Sequence, residues 1–145
     1  MIWKTPPSIE GLNMMSQETA GSALGIHFTE IGDDYLIAEM PVDARTVQPL
    51  RMLHGGASCL LAETLGSVAG MLMLEDITKE YVVGVDINAS HLRGVREGGK
   101  VFGKVTPIRV GRTVQVWHIE ITDQRERMVC VSRLTCQVIR AGGRG

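Results

Sequence analysis

Polar clusters and apolar runs alternate in the first part of the chain and predict one short helix and two strands. Ser8 precedes residues 9–15, and a serine in that place is typical of a helix N-cap. The cluster Gly32-Asp33-Asp34 separates two apolar-rich segments, residues 25–31 and 35–42, as a turn separates the strands of a hairpin. We therefore expect a short helix followed by a β-hairpin.

The clearest helix is predicted over residues 57–74. Apolar side chains recur there at spacings of three and four residues, which place them on one helical face: Ala57, Leu61, Leu65, Val68 and Leu72. The opposite stripe consists of small residues and a single acid: Gly56, Cys59, Glu63, Gly66, Ser67 and Gly70. Small side chains allow another backbone or a ligand to come close. The acid within this segment favours a buried helix over a membrane span.

The second half of the chain predicts four strands. Residues 81–90 alternate almost without error, which indicates a long strand whose buried face carries Tyr81, Val83, Val85, Ile87 and Ala89. Further strands are expected at about 101–107, 113–122 and 127–139, with turns at Gly111 and at residues 123–126. We predict an α+β fold in which a curved antiparallel sheet wraps around one long central helix, because no helices separate the later strands as a doubly wound fold requires.

The bulk composition fits one domain, which we place at residues 1–140 with a flexible tail at 141–145. Of the 145 residues, 44% are hydrophobic, which is enough for a single core. The 15 basic and 16 acidic residues nearly cancel, which argues against nucleic acid or an anionic membrane as a partner. The three cysteines are an odd number without ligand spacing, which predicts no disulfide framework and a reducing cytoplasm. The four histidines also lack metal-ligand spacing, so no metal site is expected.

The residues just before the long helix carry candidate chemistry. Residues 48–57 lead from a loop into the helix N-terminus, where the first N–H groups lack an intrahelical acceptor and the helix dipole favours negative charge. Gly55 and Gly56 remove side-chain bulk at these donors, as an oxyanion hole requires. A glycine-rich turn that only starts the helix is the alternative interpretation.

Glu63 is the second candidate, because a carboxylate in the middle of an apolar helix is costly to bury without a partner or a function. Its Cα lies roughly 10 Å along the helix from Gly56. Helical side chains lean toward the N-terminus, so a carbonyl held at the glycines would come within reach of the carboxylate. The alternative is a glutamate that reaches the surface or pairs with an arginine.

A longer motif joins these candidates: Gln48, His54-Gly55-Gly56-Ala57-Ser58 and Leu61-Ala62-Glu63-Thr64-Leu65-Gly66-Ser67. This motif resembles the central helix of the hotdog-fold thioesterases, in the branch of the Arthrobacter-type 4-hydroxybenzoyl-CoA and the enterobactin- and menaquinone-pathway thioesterases. The similarity covers nearly the whole chain. It implies hydrolysis of an aromatic or hydroxyaromatic acyl-CoA, with 1,4-dihydroxy-2-naphthoyl-CoA as one candidate substrate.

The resemblance also implies roles for single residues. In the family, the acid that matches Glu63 is the nucleophile or general base, and the N–H that polarises the thioester carbonyl corresponds to Gly55 or Gly56. The glutamine that positions the thioester or the water corresponds to Gln48, and the histidine that organises the turn to His54. Two further matches lie near the reacting centre, Ser67 and His91, although a histidine that closes a buried strand is often only a core residue.

Coenzyme A carries phosphates, which require cations and N–H groups at the rim of the site. The family segments that hold its nucleotide correspond here to Gly84, to His91-Leu92-Arg93-Gly94 and to Arg109-Val110-Gly111-Arg112-Thr113. Arginines that only make turns soluble are the alternative. Because coenzyme A is part of the substrate, no resident cofactor is expected.

Family sites lie between two subunits, so the resemblance implies an obligate dimer, which we expect to pair again into a tetramer. Two other functions stay open. One is a broad housekeeping thioesterase for medium-chain, benzoyl or carrier-protein thioesters. The other is an acyl-CoA binding module without turnover, against which the carboxylate of Glu63 argues.

Overall fold

The computed structural model describes residues 1–142 of the chain, so most of the predicted tail, residues 143–145, lies outside the described part. Two short helices and a hairpin come first, then one long helix, then four strands. The elements are α1 (Ile9–Met15), α2 (Ala20–Ala23), β1 (His27–Ile31), β2 (Leu36–Pro41), α3 (Gly55–Leu72), β3 (Glu80–His91), β4 (Lys100–Val110), β5 (Val114–Asp123) and β6 (Met128–Arg140).

The six strands form one antiparallel sheet in the order β1-β2-β4-β5-β6-β3. One face of this curved sheet packs around α3, whose Leu61 and Leu65 are fully buried. The approach is close, because a Cβ on Gly103 of β4 would lie only 2.5 Å from a methyl carbon of Leu65. The predicted α+β architecture with one central helix is therefore confirmed.

The long helix could cross a membrane by length and composition alone. Its position gives its apolar residues another role, since Leu61, Leu65 and Leu72 belong to the same buried cluster as Trp117 of β5 and Leu134 of β6. Burying side chains of this size stabilises a fold by roughly 1.5–3 kcal/mol each. The helix is therefore the centre of the hydrophobic core, as its pattern predicts.

The ends of the helices follow their caps. The Ser8 hydroxyl accepts a hydrogen bond from Gly11 N–H at 3.0 Å, which confirms the predicted start of α1. The long helix begins at Gly55, two residues before the predicted Ala57, because His54 caps it. The sequence pattern missed α2, which at four residues is too short for hydrophobic periodicity to register.

The prediction of a single buried face for β3 is wrong. Tyr81, Val83 and Val85 are 52%, 39% and 56% exposed, whereas Ile87 and Ala89 pack against the core. A bulge between Gly84 and Asp86 shifts the pairing with β6, so Val85 is the extra residue. Before the bulge, the even-numbered residues therefore face α3; after it, the odd-numbered residues do.

Candidate active site

The first turn of α3 leaves one backbone donor free. His54 is the N-cap, and its ring Nδ1 accepts a hydrogen bond from Gly56 N–H at 2.8 Å. His54 itself is held in place by a hydrogen bond from its N–H to the carbonyl of the buried Thr46, at 2.8 Å. Among residues 1–142, Gly55 N–H has no acceptor. Of the two glycines that the sequence left as alternatives, Gly55 is thus the one with an available donor.

The imidazole of His91 lies directly over Gly55. A Cβ on that glycine would stand 2.9 Å from His91 Nε2, so a larger residue at position 55 would have to shift the imidazole. His91 ends β3, and its side chain is exposed to a cavity rather than packed as a core residue. The cavity measures about 420 Å³, and Gln48, Ser58 and Arg93 also line it.

Gln48 is positioned by a tight turn at the mouth of this cavity. Its backbone N–H donates to the Met52 carbonyl and its carbonyl accepts from Arg51 N–H, both at 2.8 Å, while its side-chain oxygen accepts from Leu50 N–H. Arg51 has a left-handed backbone with φ 61° and pairs with Glu97 at 2.6 Å. The ion pair ties the turn to the connection between β3 and β4, and the turn holds Gln48 toward the cavity.

Glu63 stands two turns further along α3, half-buried against β3. A Cβ on Gly84 would collide with its carboxylate oxygen, and Leu134 lies on the same side. Within residues 1–142, no hydrogen bond or ion pair to this carboxylate is found. The alternative interpretation, in which Glu63 pairs with an arginine, therefore does not hold within these residues. Burial without a partner raises the pKa of the Glu63 carboxyl above its ordinary value.

Comparison with known proteins identifies the family. The model of the thioesterase superfamily matches residues 50–130, which include Gly55, Glu63 and His91. The chain is 50% identical to 1,4-dihydroxy-2-naphthoyl-CoA hydrolase of Escherichia coli strain K12, over 96% of this chain and 100% of that protein. The chain belongs to the thioesterase superfamily.

Solved structures agree with this assignment. A thioesterase from Haemophilus influenzae has a TM-score of 0.93 and 50% identity, over 99% of this chain and 98% of that one. A variant thioesterase from Pseudomonas aeruginosa has a TM-score of 0.93 and 42% identity, over 97% of this chain and 99% of that one. The fold is the hotdog fold of these enzymes, and the chain is a thioester hydrolase.

Within one thioesterase chain, the predicted site residues fall into separate groups. Gln48, Gly55, His91, Leu92, Arg93 and Gly94 surround the cavity at the start of α3. Glu63 does not line that cavity, and Ser67 lies one helical turn beyond Glu63. Gly84 makes room for the Glu63 carboxylate, and its contact with the nucleotide stays a prediction.

The second predicted nucleotide segment is far from the first. Val110, Gly111 and Arg112 border a smaller cavity of about 110 Å³ together with Met73 and Leu74, beyond the C-terminus of α3. Arg109 and Thr113 flank them in the turn between β4 and β5. The 18 residues of α3 span about 27 Å, so residues 91–94 and 109–113 of one chain stand at opposite ends of the helix.

One thioesterase residue that the sequence interpretation missed is Ser58. It is only 1% exposed, and the little surface that it keeps borders the cavity. It lies one helical turn after Gly55, so its hydroxyl shares the helix face of the free donor. Helical spacing from Gly55 was the signal that could have found it.

Proposed function

We propose that this thioesterase hydrolyses aromatic or hydroxyaromatic acyl-CoA, with 1,4-dihydroxy-2-naphthoyl-CoA as the first substrate to test. The observation that carries the proposal is the free Gly55 N–H at a helix start, facing a cavity bordered by His91 and Gln48. The 50% identity to the Escherichia coli 1,4-dihydroxy-2-naphthoyl-CoA hydrolase supports the acyl group.

In the proposed reaction, the thioester oxygen accepts the hydrogen bond of Gly55 N–H, and the helix dipole favours the negative charge that develops there. Glu63 either attacks the carbonyl carbon and forms a mixed anhydride that water then hydrolyses, or deprotonates the attacking water. The C–S bond breaks in either route. The products are the carboxylic acid and the thiol of coenzyme A.

We propose that each site combines two subunits. Gly55 and Glu63 are about 12 Å apart along α3, and the carboxylate faces β3 rather than the cavity. The edge strand β3 runs past both features, with Gly84 beside Glu63 and His91 beside Gly55. An antiparallel pairing of two β3 strands about a two-fold axis near Ile87 would set Gly84 of one chain opposite the partner's His91. Each Glu63 would then approach the partner's cavity.

An exposed apolar surface on the sheet face away from α3 supports a tetramer. Val83 of β3 and Val114 of β5 both pair with Gln137 of β6, so the three side chains form one row on the sheet face away from α3. Val83 and Val114 are 39% and 44% exposed, and Tyr81 continues the row's apolar surface along β3. We call these residues, Tyr81, Val83 and Val114, the outer apolar row. Contact between the outer apolar rows of two dimers would bury these side chains.

The proposed compartment is the cytoplasm. Cys59, Cys130 and Cys136 are all free thiols. Burial raises the pKa of the Cys130 and Cys136 thiols to about 11, so both stay protonated and unreactive at neutral pH. Three free thiols are the usual state of cysteines in a reducing compartment.

The test is hydrolysis of a panel of acyl-CoA thioesters by wild type and Glu63→Gln. We expect the highest kcat/KM with aromatic acyl groups and a 10²- to 10⁴-fold loss of kcat in the variant, the usual contribution of a positioned base. Glu120→Gln, the same change at an exposed acid of β5 outside the cavity, is the control and should retain wild-type turnover. Unchanged turnover of Glu63→Gln would refute its role. Wild type that binds acyl-CoA without hydrolysing it would make the chain a binding module.

A further inference from the structure

Within residues 1–142, the hydroxyl group of Ser58 has no hydrogen-bond partner, although the residue is only 1% exposed. Ser58 is the fourth residue of α3. The ordinary partner of a helical serine is the carbonyl four residues earlier, which here belongs to His54. That carbonyl already accepts hydrogen bonds from the backbone N–H of Ala57, at 3.0 Å, and of Ser58, at 3.3 Å. Both of its lone pairs are therefore used.

The oxygen of this hydroxyl faces the active-site cavity. Every side-chain oxygen or nitrogen that is fully enclosed within the described residues has a hydrogen-bond partner. The Ser58 oxygen has none, so it belongs to the small part of the residue that is not enclosed, and Ser58 borders the cavity of about 420 Å³. A nearly buried polar atom without a protein partner destabilises the fold, and a ligand that bonds to this atom offsets that loss.

A second buried serine shows the usual arrangement. Ser132 of β6 is also 1% exposed, but its hydroxyl donates a hydrogen bond to the Asn88 carbonyl at 2.8 Å. This bond joins β6 to β3 and therefore stabilises the sheet. Since the Ser58 hydroxyl bonds to no element of the described chain, a structural role does not explain it.

The Ser58 hydroxyl lies on the same side of α3 as the free donor of Gly55. The two residues are three positions apart, which places them one above the other, and side chains of a helix lean toward its N-terminus. Gly56 N–H bonds to the His54 ring, so the first turn of α3 offers one backbone donor to a substrate oxygen. Gly55 and Ser58 are the two residues of α3 that border the cavity.

The other polar side chains of the cavity are in contact with more water. Gln48 is half-buried, and His91 and Arg93 are exposed, whereas Ser58 is buried. Water weakens an electrostatic interaction, and a poorly hydrated surrounding strengthens it. Ser58 is therefore the polar side chain of this cavity whose hydrogen bond to a developing charge would be least weakened by solvent.

We propose that Ser58 is a catalytic residue whose hydroxyl donates a second hydrogen bond to the thioester oxygen, beside that of Gly55 N–H. An oxyanion hole can combine backbone N–H groups with serine side chains. The bond strengthens as the carbonyl carbon is attacked and negative charge grows on the oxygen. The proton stays on Ser58, and no covalent bond to the serine forms. The proposal rests on the thioester hydrolysis proposed above and adds one residue to it.

The experiment compares wild type, Ser58→Ala and Ser58→Thr on the acyl-CoA that wild type hydrolyses fastest. We expect kcat of Ser58→Ala to fall about 10²-fold, the usual cost of one oxyanion donor, while KM stays within about twofold. Its melting temperature should not decrease, because the variant removes a hydroxyl without a partner in the fold and introduces a strong helix former. Ser58→Thr keeps the hydroxyl and should restore most of kcat.

Ser132→Ala is the matched control, since it removes an equally buried hydroxyl that has a partner. It should show the opposite pattern, a lower melting temperature with nearly unchanged kcat. Unchanged kcat in Ser58→Ala would overturn the proposal. A raised KM at unchanged kcat would also overturn it, and would assign the hydroxyl to another part of the substrate.

A structural role of Ser58 would give a third result. In that case, Ser58→Ala would lose melting temperature together with kcat, and Ser58→Thr would recover neither. Wild type that hydrolyses no thioester would overturn both this proposal and the proposed function. An unaffected Ser58→Ala beside an active wild type would overturn this proposal alone.

Discussion

The proposed chemistry at Gly55 and Glu63 depends on one hydrogen bond and one close contact. Gly56 N–H is used by the cap, so the backbone donor set of the proposed oxyanion hole reduces to Gly55 N–H at this helix start. On β3, the glycine at position 84 leaves room for the Glu63 carboxylate, which any larger residue there would displace. The sequence indicated both candidate groups, but not which glycine donates or what faces the acid, because those depend on a ring rotamer and on strand register.

Gly55→Pro removes the donor while keeping the backbone. Proline is tolerated at the first helical position, and His54 has φ −72° and ψ 130°, which suits a residue before proline. We expect kcat to fall about 10²- to 10³-fold, the usual cost of one oxyanion donor. Gly55→Ala adds a Cβ near His91 but keeps the N–H, so it is the control. Equal losses in both variants would mean that crowding, not the donor, explains the effect.

The raised pKa of Glu63 predicts an acid limb in the pH profile. Because the carboxylate is the reactive form, kcat/KM should decline on acidification at a pH above the ordinary carboxyl pKa of 4.5. The same burial makes ionisation of the Glu63 carboxyl destabilise the folded state. The free energy of unfolding therefore decreases as the pH rises through the folded-state pKa of Glu63. Glu63→Gln should therefore raise the melting temperature at neutral pH but not near pH 3. A melting temperature unchanged at both pH values would contradict this explanation.

At the scale of elements, the pattern predicted where strands and the central helix occur, but not how their ends and irregularities are arranged. The helix α3 and all six strands lie close to their predicted ranges because their hydrophobic periodicity is long. The burial of β3 was mispredicted because a bulge changes which side chains face inward without leaving a mark in composition. The hydrophobic pattern does not predict the cavity, since it joins a turn, a helix start and a strand end; only the family resemblance had assigned Gln48, Gly55 and His91 to one site.

The cap of α3 can be tested by two substitutions. His54→Ala removes the acceptor of Gly56 N–H and should lower the free energy of unfolding by about 1 kcal/mol. It should also lower kcat, because Gly56 N–H is released and the first turn of α3 is less well ordered. Asn is a favourable N-cap, so His54→Asn should restore most of the stability in chemical denaturation. If Asn is no better than Ala, the cap does not explain the role of His54.

At the scale of the whole molecule, one chain carries both halves of the proposed site, but they do not meet. Residues 91–94 and 109–113 lie at opposite ends of α3, and Glu63 lies outside the Gly55 cavity. The family resemblance predicted shared sites, whereas residue spacing alone suggested a carboxylate in reach within one helix. The two expectations differ in the direction that they give to the Glu63 side chain. In the structure this side chain points toward β3.

Mixed dimers test whether the site is shared. Gly55→Pro and Glu63→Gln chains are each expected to be nearly inactive alone. When the two are unfolded together and refolded, half of the dimers should be mixed, and each should contain one intact site. About a quarter of the wild-type activity should then return. No recovery in mixtures shown to contain mixed dimers would place both groups of a site in one chain.

The outer apolar row is tested by charge. Val83→Lys and Val114→Lys place a cation on each side of Gln137, where a second dimer is proposed to pack. We expect sedimentation analysis to show dimers in place of tetramers, with kcat largely retained because both side chains point away from α3. The control is Glu120→Lys, an exposed change further along β5. Val116→Lys in the same strand is not used, because Val116 neighbours the outer apolar row. Tetramers that persist would exclude this face as the interface.

The bulge of β3 also determines how the strand tolerates changes in length. Val85 has no partner residue in β6, and the residues on its two sides, Gly84 and Asp86, pair with consecutive residues there. Removing Val85 would leave a regular ladder in which Gly84 still faces Glu63 and Ile87 still faces the core. Removing Asp86 instead would let Val85 take its outward-facing place, whereas removing Gly84 would set the Val85 side chain against the Glu63 carboxylate. Natural and engineered single-residue deletions in this strand should therefore be accepted at positions 85 and 86 and rejected at position 84.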